Sequence, residues 1–408
     1  MLKTLKFAAN NVAANKKRTL ITLAVIIIGL CSINIGKGLM AGLQKESELG
    51  VTEGRTGEIQ IHKQGYFDAS EFSMLNYSID NSSRFQDELK KLEGVENVAG
   101  RIQFGGLLAK GDETAVVVFC RAADIVNETK VCPRIEANII EGRFLTKDDT
   151  NGAVVASGLK KGIGASIGDL VIIVANTKDG FQNAVELQVV GIIEEKAAQA
   201  NARLVYLPIG KAQELLYMDD EVTEIVIKSS DNSNLDALNE KLNQLIQSRG
   251  LESNTWEDVA TFFVDIMKKQ NAVVFILCLI FYLIVIASIT NTMVLTLFER
   301  KKEIGTLMAI GIKAKDVILL IVTESTIIGI IGSLIGVLLS AIIIIILSKV
   351  GWTRTLPQTN TFVTIYPLIN APFMLLSFIL GVLSSIVASI YPARKVLKVN
   401  PVDALRTV

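Results

Sequence analysis

Leu20 to Gly36 reads LITLAVIIIGLCSINIG, and three further apolar runs follow at Val273 to Phe298, Val317 to Leu347 and Phe373 to Tyr391. A bilayer core of about 30 Å takes roughly 20 apolar helical residues, because backbone N–H and C=O groups in lipid must be satisfied within their own segment. Four such runs predict an α-helical membrane protein in a one-plus-three layout, with a large α+β domain between the first helix and the second. The expected division is 1–18 for an amphipathic N-terminal helix, 19–41 for the first span and 42–271 for the outer domain. The second span is 272–298, a short loop 299–316, the third span 317–347, an outer loop 348–371, the fourth span 372–392 and a tail 393–408. A signal peptide is the rival for the first run, since Lys16, Lys17 and Arg18 precede it. No small-residue cleavage site follows, and its removal would leave an odd number of spans.

The cations set the expected orientation. Lys3, Lys6, Lys16, Lys17 and Arg18 precede the first span; Arg300, Lys301, Lys302, Lys313 and Lys315 lie between the second and third; Arg394, Lys395, Lys398 and Arg406 follow the fourth. The loop between spans three and four holds Lys349 and Arg354 alone. The positive-inside rule places both termini and the loop near residue 305 in the cytoplasm and the large domain outside.

Forty-one basic residues balance 41 acidic ones, which argues against a nucleic-acid binder. Mean hydropathy is +0.43. Cys31 and Cys278 fall in spans, so Cys120 and Cys132 are the pair able to meet in an oxidising compartment; bonded and free forms both stay open. Within the outer domain the alternation predicts strands at Gly57 to His62, Arg101 to Ala109, Ala115 to Cys120, Ala153 to Ala156, Leu170 to Ala175, Val185 to Ile193, Leu204 to Leu207 and Glu224 to Lys228. Helices are expected at Ser83 to Leu92 and Leu235 to Gln247. These group into a membrane-proximal α+β lobe (42–120 and 221–270) and an inserted β-rich lobe (121–220).

Catalytic chemistry finds few candidates. His62 is the one histidine, with no metal-spaced partner, so no catalytic residue and no metal ligand is expected. No G-x-x-x-x-G-K-[ST] occurs, so the chain lacks a phosphate cradle of this type. It is expected to bind no cofactor itself, to be no enzyme, and to depend on a partner for ATP and Mg.

The loop Glu299-Arg300-Lys301-Lys302-Glu303-Ile304-Gly305-Thr306-Leu307-Met308-Ala309-Ile310-Gly311 is a charged turn followed by a short helix of apolar and small residues. It suits a groove on a cytoplasmic partner; a positive-inside anchor is the alternative, and accounts for Arg300, Lys301 and Lys302 but not for Glu299 and Glu303.

ERKKEIGTLMAIGIKAKDV resembles the coupling loop of FtsX/MacB-type permeases of ABC transporters, with a charged ER-x-x-EIG followed by ALG; Ile310 departs from the leucine. Asn11 to Thr22 is similar to that family's amphipathic N-terminal helix, with Ala14 where a cation is common. Tyr391-Pro392-Ala393-Arg394-Lys395 with Asn400 to Arg406 is similar to its closing signature, and Glu141 to Asp169 resembles the insert of its outer domain. The resemblance implies a mechanotransmitter: a dimer with a second copy or a paralogous permease, bound to a cytoplasmic ABC ATPase whose closure on ATP passes through the coupling loop. With 18 residues before the first span, that ATPase is expected in trans. Coupling residues are then Glu299, Arg300, Glu303, Ile304, Gly305, Ala309 and Gly311. Thr56 to Tyr66 and the size of the outer domain resemble the lipoprotein-releasing LolC/LolE branch, which implies extraction of lipoproteins from the inner membrane and a periplasmic chaperone or adaptor. Export of antibiotics, peptides or other amphiphiles of the MacB type is the alternative, and a non-transporting membrane-anchored sensor a third outcome.

No span carries the series of Asp, Glu and His that an ion-coupled pump needs, so an amphiphilic substrate among membrane lipids is expected. Ile35, Leu39, Met40, Phe275, Leu279 and Tyr282 would line a cleft between spans one and two of paired subunits; ordinary helix packing is the plainer role. Glu324, in span three ahead of Gly329, Gly332 and Gly336, is expected to pair with a basic or polar group near the coupling loop and transmit its tilt, against the alternative of a solvated acid.

Overall fold

The computed structural model describes residues 8, 10–12, 14, 16–111, 115–195, 198–230, 234–310, 312–355 and 362–395. The chain divides into two compact units, Met1–Glu46 with Ile266–Val408, and Ser47–Asp265. In chain order the principal elements are α1 (Lys16–Val51), β1 (Ile59–Lys63), α2 (Ser82–Leu89), β2 (Val95–Ala109), β3 (Val116–Ala123), α3 (Ile125–Val131), β4 (Ile139–Gly142) and β5 (Gly152–Ala156). There follow α4 (Ser157–Ile163), β6 (Leu170–Asn176), β7 (Gln182–Ile193), α5 (Ala198–Arg203), β8 (Leu204–Pro208), α6 (Ile209–Leu216), β9 (Glu224–Ser229), α7 (Leu235–Ile246) and β10 (Leu251–Thr255). The chain closes with α8 (Thr261–Glu299), α9 (Lys301–Ala309), α10 (Ala314–Val350), β11 (Trp352–Thr355), β12 (Phe362–Ile365) and α11 (Ala371–Lys395).

Helices α1, α8, α10 and α11 are each long and apolar enough to cross a membrane. They overrun the expected spans: α1 continues to Val51 and α8 begins at Thr261, where a boundary was expected at 42 and 271. Hydropathy locates the apolar middle of a helix, whereas 42–51 and 261–271 mix charged residues (Lys45, Glu46, Glu48, Asp265, Lys268, Lys269) with apolar ones, which extends the helix without the hydropathy of a span. The glycines of α10 mark close crossings. A Cβ at Gly329 would stand 2.6 Å from Ser385 Cβ on α11, and one at Gly336 3.2 Å from Leu30 Cβ on α1. Small polar side chains add bonds across helices: Cys31 Sγ donates to the Gly336 carbonyl, Ser385 Oγ to that of Ser325, and Thr290 Oγ1 to that of Ala388.

The second unit is built on one ten-stranded sheet in the order β10-β1-β9-β2-β3-β8-β5-β7-β4, with β6 bridging β2 and β7. The lobe boundary expected at 120/121 is therefore no break in hydrogen bonding. Strand β2 has 15 residues; its first half pairs with β9 and its second with β3 and β6, so it belongs to both lobes. Helices α2 and α7 cover one face of β1, β9 and β2 through Phe85, Leu89, Leu238, Leu242 and Ile246. On the other face Ile125, Val131 and Ile135 pack with Ala99 and Val226. Covered on both sides, β1 is buried at four of its five residues. Gly164 to Gly168 matches G-x-S-x-G in letters, but it is the turn between α4 and β6, and the Ser166 N–H donates to Asp169; it is not the strand-to-helix elbow of a hydrolase.

A buried charge cluster ties β2 to its neighbours. Arg101, wholly enclosed, donates from Nε and Nη2 to the Glu128 carboxylate of α3 at 2.8 and 2.6 Å, and from Nη1 to Glu224 of β9 at 3.0 Å. Its Nη2 also donates to Cys132 Sγ. Cys120 and Cys132 are both free and buried, and burial pushes the Cys132 thiol up to about 11. His62 Nε2 lies 3.6 Å from Glu224, with its ring stacked on Tyr66. Burial raises the Glu224 carboxyl, and His62, Arg101 and Arg121 more than offset this, holding it well below the usual carboxylate range. A carboxylate depressed in this way stabilises the fold above about pH 4.3 and loses that contribution as pH falls. Arg101→Met would take the guanidinium from the buried Glu128 carboxylate and leave Glu224 to His62, and the second unit is expected to lose about 3–5 kcal/mol in thermal unfolding of the full chain.

Candidate coupling site

Helix α8 ends at Glu299, and Arg300, in a non-helical conformation, turns the chain into α9. The Arg300 guanidinium is the hub of this turn. Its Nε donates to Glu303 Oε2 at 2.8 Å, and its Nη1 reaches both Glu324 oxygens at 3.3 and 3.4 Å. Glu324, on α10, is 3% exposed. From the N-terminal segment Asn11 Nδ2 donates to Glu324 Oε1 at 2.7 Å. One buried carboxylate thus holds three segments: the N-terminal segment, the α8–α9 turn and α10. A carboxylate inside an apolar bundle requires such partners, since desolvation without them costs several kcal/mol.

Helix α9 has two faces. Ile304 and Gly305 are buried and Met308 is half-buried; Ile304 packs with Val317 and Ile321 of α10 and Ala393 of α11. Lys302, Glu303, Thr306 and Ala309 face outward, and Ile310 beyond them is 76% exposed. Glu299 is also exposed, and Gly311 lies outside the described residues. The cavity beneath, lined in part by Thr296, Arg300, Ile304 and Glu324, measures about 20 Å³, room for about one water molecule. The site is a packed joint under an exposed helical surface, without space for a substrate.

Of the residues expected to line a cleft, the three on α8 are spread over two of its faces. Val274, Cys278, Tyr282, Val285, Ile289, Met293 and Thr296, spaced three or four residues apart, are its half-buried and buried side. A Cβ at Gly29 of α1 would stand 2.6 Å from Val285, so this seam faces α1. Tyr282 belongs to it, whereas Phe275 and Leu279 stand beside it, 69% and 51% exposed. Ile35, Leu39 and Met40 are half-buried on α1. Asn11 is the residue that sequence reasoning missed; its one signal is an amide in an amphipathic segment. The closing signature at Asn400 to Arg406 lies outside the described residues.

Residues 19–245 match the MacB-like periplasmic core domain family, and residues 275–401 the FtsX-like permease C-terminal family. The chain is 26% identical, over 98% of its length, to a macrolide export ATP-binding/permease protein MacB of Campylobacter jejuni and covers 60% of that protein. It is 22% identical to an uncharacterised ABC transporter permease of Methanocaldococcus jannaschii, with 98% of this chain and 96% of that protein covered. It spans about 60% of the length of the MacB relatives it matches. The crystallised periplasmic region of MacB from Actinobacillus actinomycetemcomitans aligns with a TM-score of 0.37 and 18% identity over 51% of this chain and 92% of that one, too low a score to carry an argument.

Ile304→Ala removes apolar contacts worth about 2–5 kcal/mol from the buried face of α9. Hydrogen exchange over 301–309 is expected to quicken by at least tenfold while exchange in the second unit stays unchanged.

Proposed function

The chain belongs to the FtsX/MacB-type family of ABC transporter permeases, and from that premise we propose that it transmits ATP-driven closure of an ABC ATPase to the export of an amphiphile. The ATPase is a separate cytoplasmic chain that supplies ATP and Mg, and it docks on the exposed face of α9. Lys302, Glu303, Thr306, Ala309 and Ile310 form the contact, and the Arg300–Glu324–Asn11 node carries the movement of α9 into α10 and the N-terminal segment. The observation that carries this proposal is a short helix between two apolar spans that buries Ile304 and is followed directly by a strongly exposed Ile310. An anchor alone has no use for either.

Export of the MacB kind is preferred to lipoprotein release, because several relatives matched over nearly the whole chain carry the macrolide-export name. In this proposal the protein lies in the cytoplasmic membrane as a dimer, with its termini and α9 in the cytoplasm and the second unit in the periplasm. The clustering of cations at the α9 end supports that orientation. A periplasmic adaptor completes the export route.

The test is affinity purification of the detergent-solubilised protein from its native membrane, with mass spectrometry of what accompanies it. An ABC ATPase with a periplasmic adaptor is expected. An ATPase with triacylated lipoproteins would return the chain to lipoprotein release, and recovery of no ATPase would overturn transport altogether. Ile310→Asp and Glu303→Lys should each reduce ATPase recovery at least tenfold; a sensor without transport would tolerate both.

A further inference from the structure

Lys37 is a cation without an anion. It sits on α1 directly after the apolar run Leu20 to Gly36, and its Nζ donates to the neutral Asn271 Oδ1 on α8 at 3.3 Å. The ammonium also lies 6.0 Å from the centre of the Phe373 ring on α11. Among the described residues no carboxylate stands within ion-pair distance of it. Arg300, at the far end of α8, has two acids instead. A lysine at the edge of a span is costly unless its head reaches water or a counter-charge, and a negative group from outside the chain would supply that counter-charge to Lys37.

The apolar surface beside it has a matching shape. Asn271, Phe275, Leu279 and Leu283 follow one another at four-residue intervals, which places them as neighbours along one face of α8. All four are exposed, the last three at 69%, 51% and 57%. No α8 residue before Val285 is buried, so Phe275, Leu279 and Leu283 are left uncovered by the described residues. A polar, cationic head thus stands at the top of an apolar track roughly 18 Å long at 1.5 Å per residue.

We infer that Lys37 and Asn271 bind the phosphodiester head of an anionic phospholipid-type amphiphile whose acyl chain lies along Phe275, Leu279 and Leu283. The Lys37 ammonium supplies the charge, and Asn271, whose oxygen already accepts from Lys37, presents its amide N–H groups to a phosphate oxygen. Charge complementarity selects this occupant over a neutral lipid, and the apolar track selects it over free phosphate. The inference rests on the amphiphile-export proposal for its biological meaning, since it names the head-group class that the transporter would sort.

Native mass spectrometry of the full chain in detergent, with phosphatidylglycerol and phosphatidylcholine of identical acyl chains added in equal amounts, measures the preference directly. One interfacial lysine is expected to favour the anionic lipid about fivefold. Lys37→Gln should bring the ratio close to one, Lys37→Arg should keep it, and Lys349→Gln, at another cation near the same end of the bundle, should leave it unchanged. Excess inorganic phosphate should not displace the lipid. Equal retention of the two lipids by the unaltered protein would overturn the inference. So would an equal loss in Lys349→Gln, or complete displacement by phosphate. ATPase recovery plays no part in this readout, so failure here leaves the coupling proposal standing, and failure to recover an ATPase leaves the lipid ratio unaffected.

Discussion

A carboxylate inside an apolar helical bundle cannot be left unpaired, and much of the α9 end of this protein follows from that constraint. Glu324 is all but enclosed. Its oxygens take donors from Arg300 and Asn11, which obliges the N-terminal segment and the α8–α9 turn to meet on α10. Because Arg300 also binds Glu303 in the first turn of α9, the direction of that helix is tied to the same carboxylate. Apolar packing of Ile304 fixes its depth. A push on the exposed side of α9 then has a short route into the bundle, through the contacts of Arg300 with Glu303 and Glu324.

The second unit meets the same constraint differently. There Arg101 is enclosed at the junction of β2, α3 and β9, and two carboxylates neutralise it. The strand that carries it runs through both halves of the sheet, so the cluster stiffens the element that joins them. Such a rigid body suits a domain that moves as a unit. Helices α1 and α8 run without interruption past the ends of their apolar stretches, which gives movement in the bundle a helical path along the chain.

Much of this was legible in the sequence, for physical reasons that differ by residue. The apolar middles of the four helices declared themselves by hydropathy, and most strands by alternation. The extensions of α1 and α8 did not, since the charged residues interspersed there lower the hydropathy below that of a span. Strand β4 and the β11–β12 pair were also missed: β4 is four residues long and largely exposed, and short strands are defined by their partners. The singular acid in span three pointed to a pairing, and the structure sets Arg300 and Asn11 against it. Asn11 was not foreseeable, because an amide in an amphipathic segment is ordinarily a solvated residue. The sequence offered His62 no metal-spaced partner, and its place beside Glu224 depends on the register of β1 against β9, which no local pattern reveals.

The central claim is that the Arg300–Glu324 pair transmits movement from α9. Its most direct test is hydrogen exchange of the second unit, in the assembled transporter, with and without a non-hydrolysable ATP analogue. The account expects an analogue-dependent change in the unaltered protein, its loss in Arg300→Glu with analogue binding retained, and its return in Arg300→Glu combined with Glu324→Arg. Persistence of the full change in Arg300→Glu alone would contradict it.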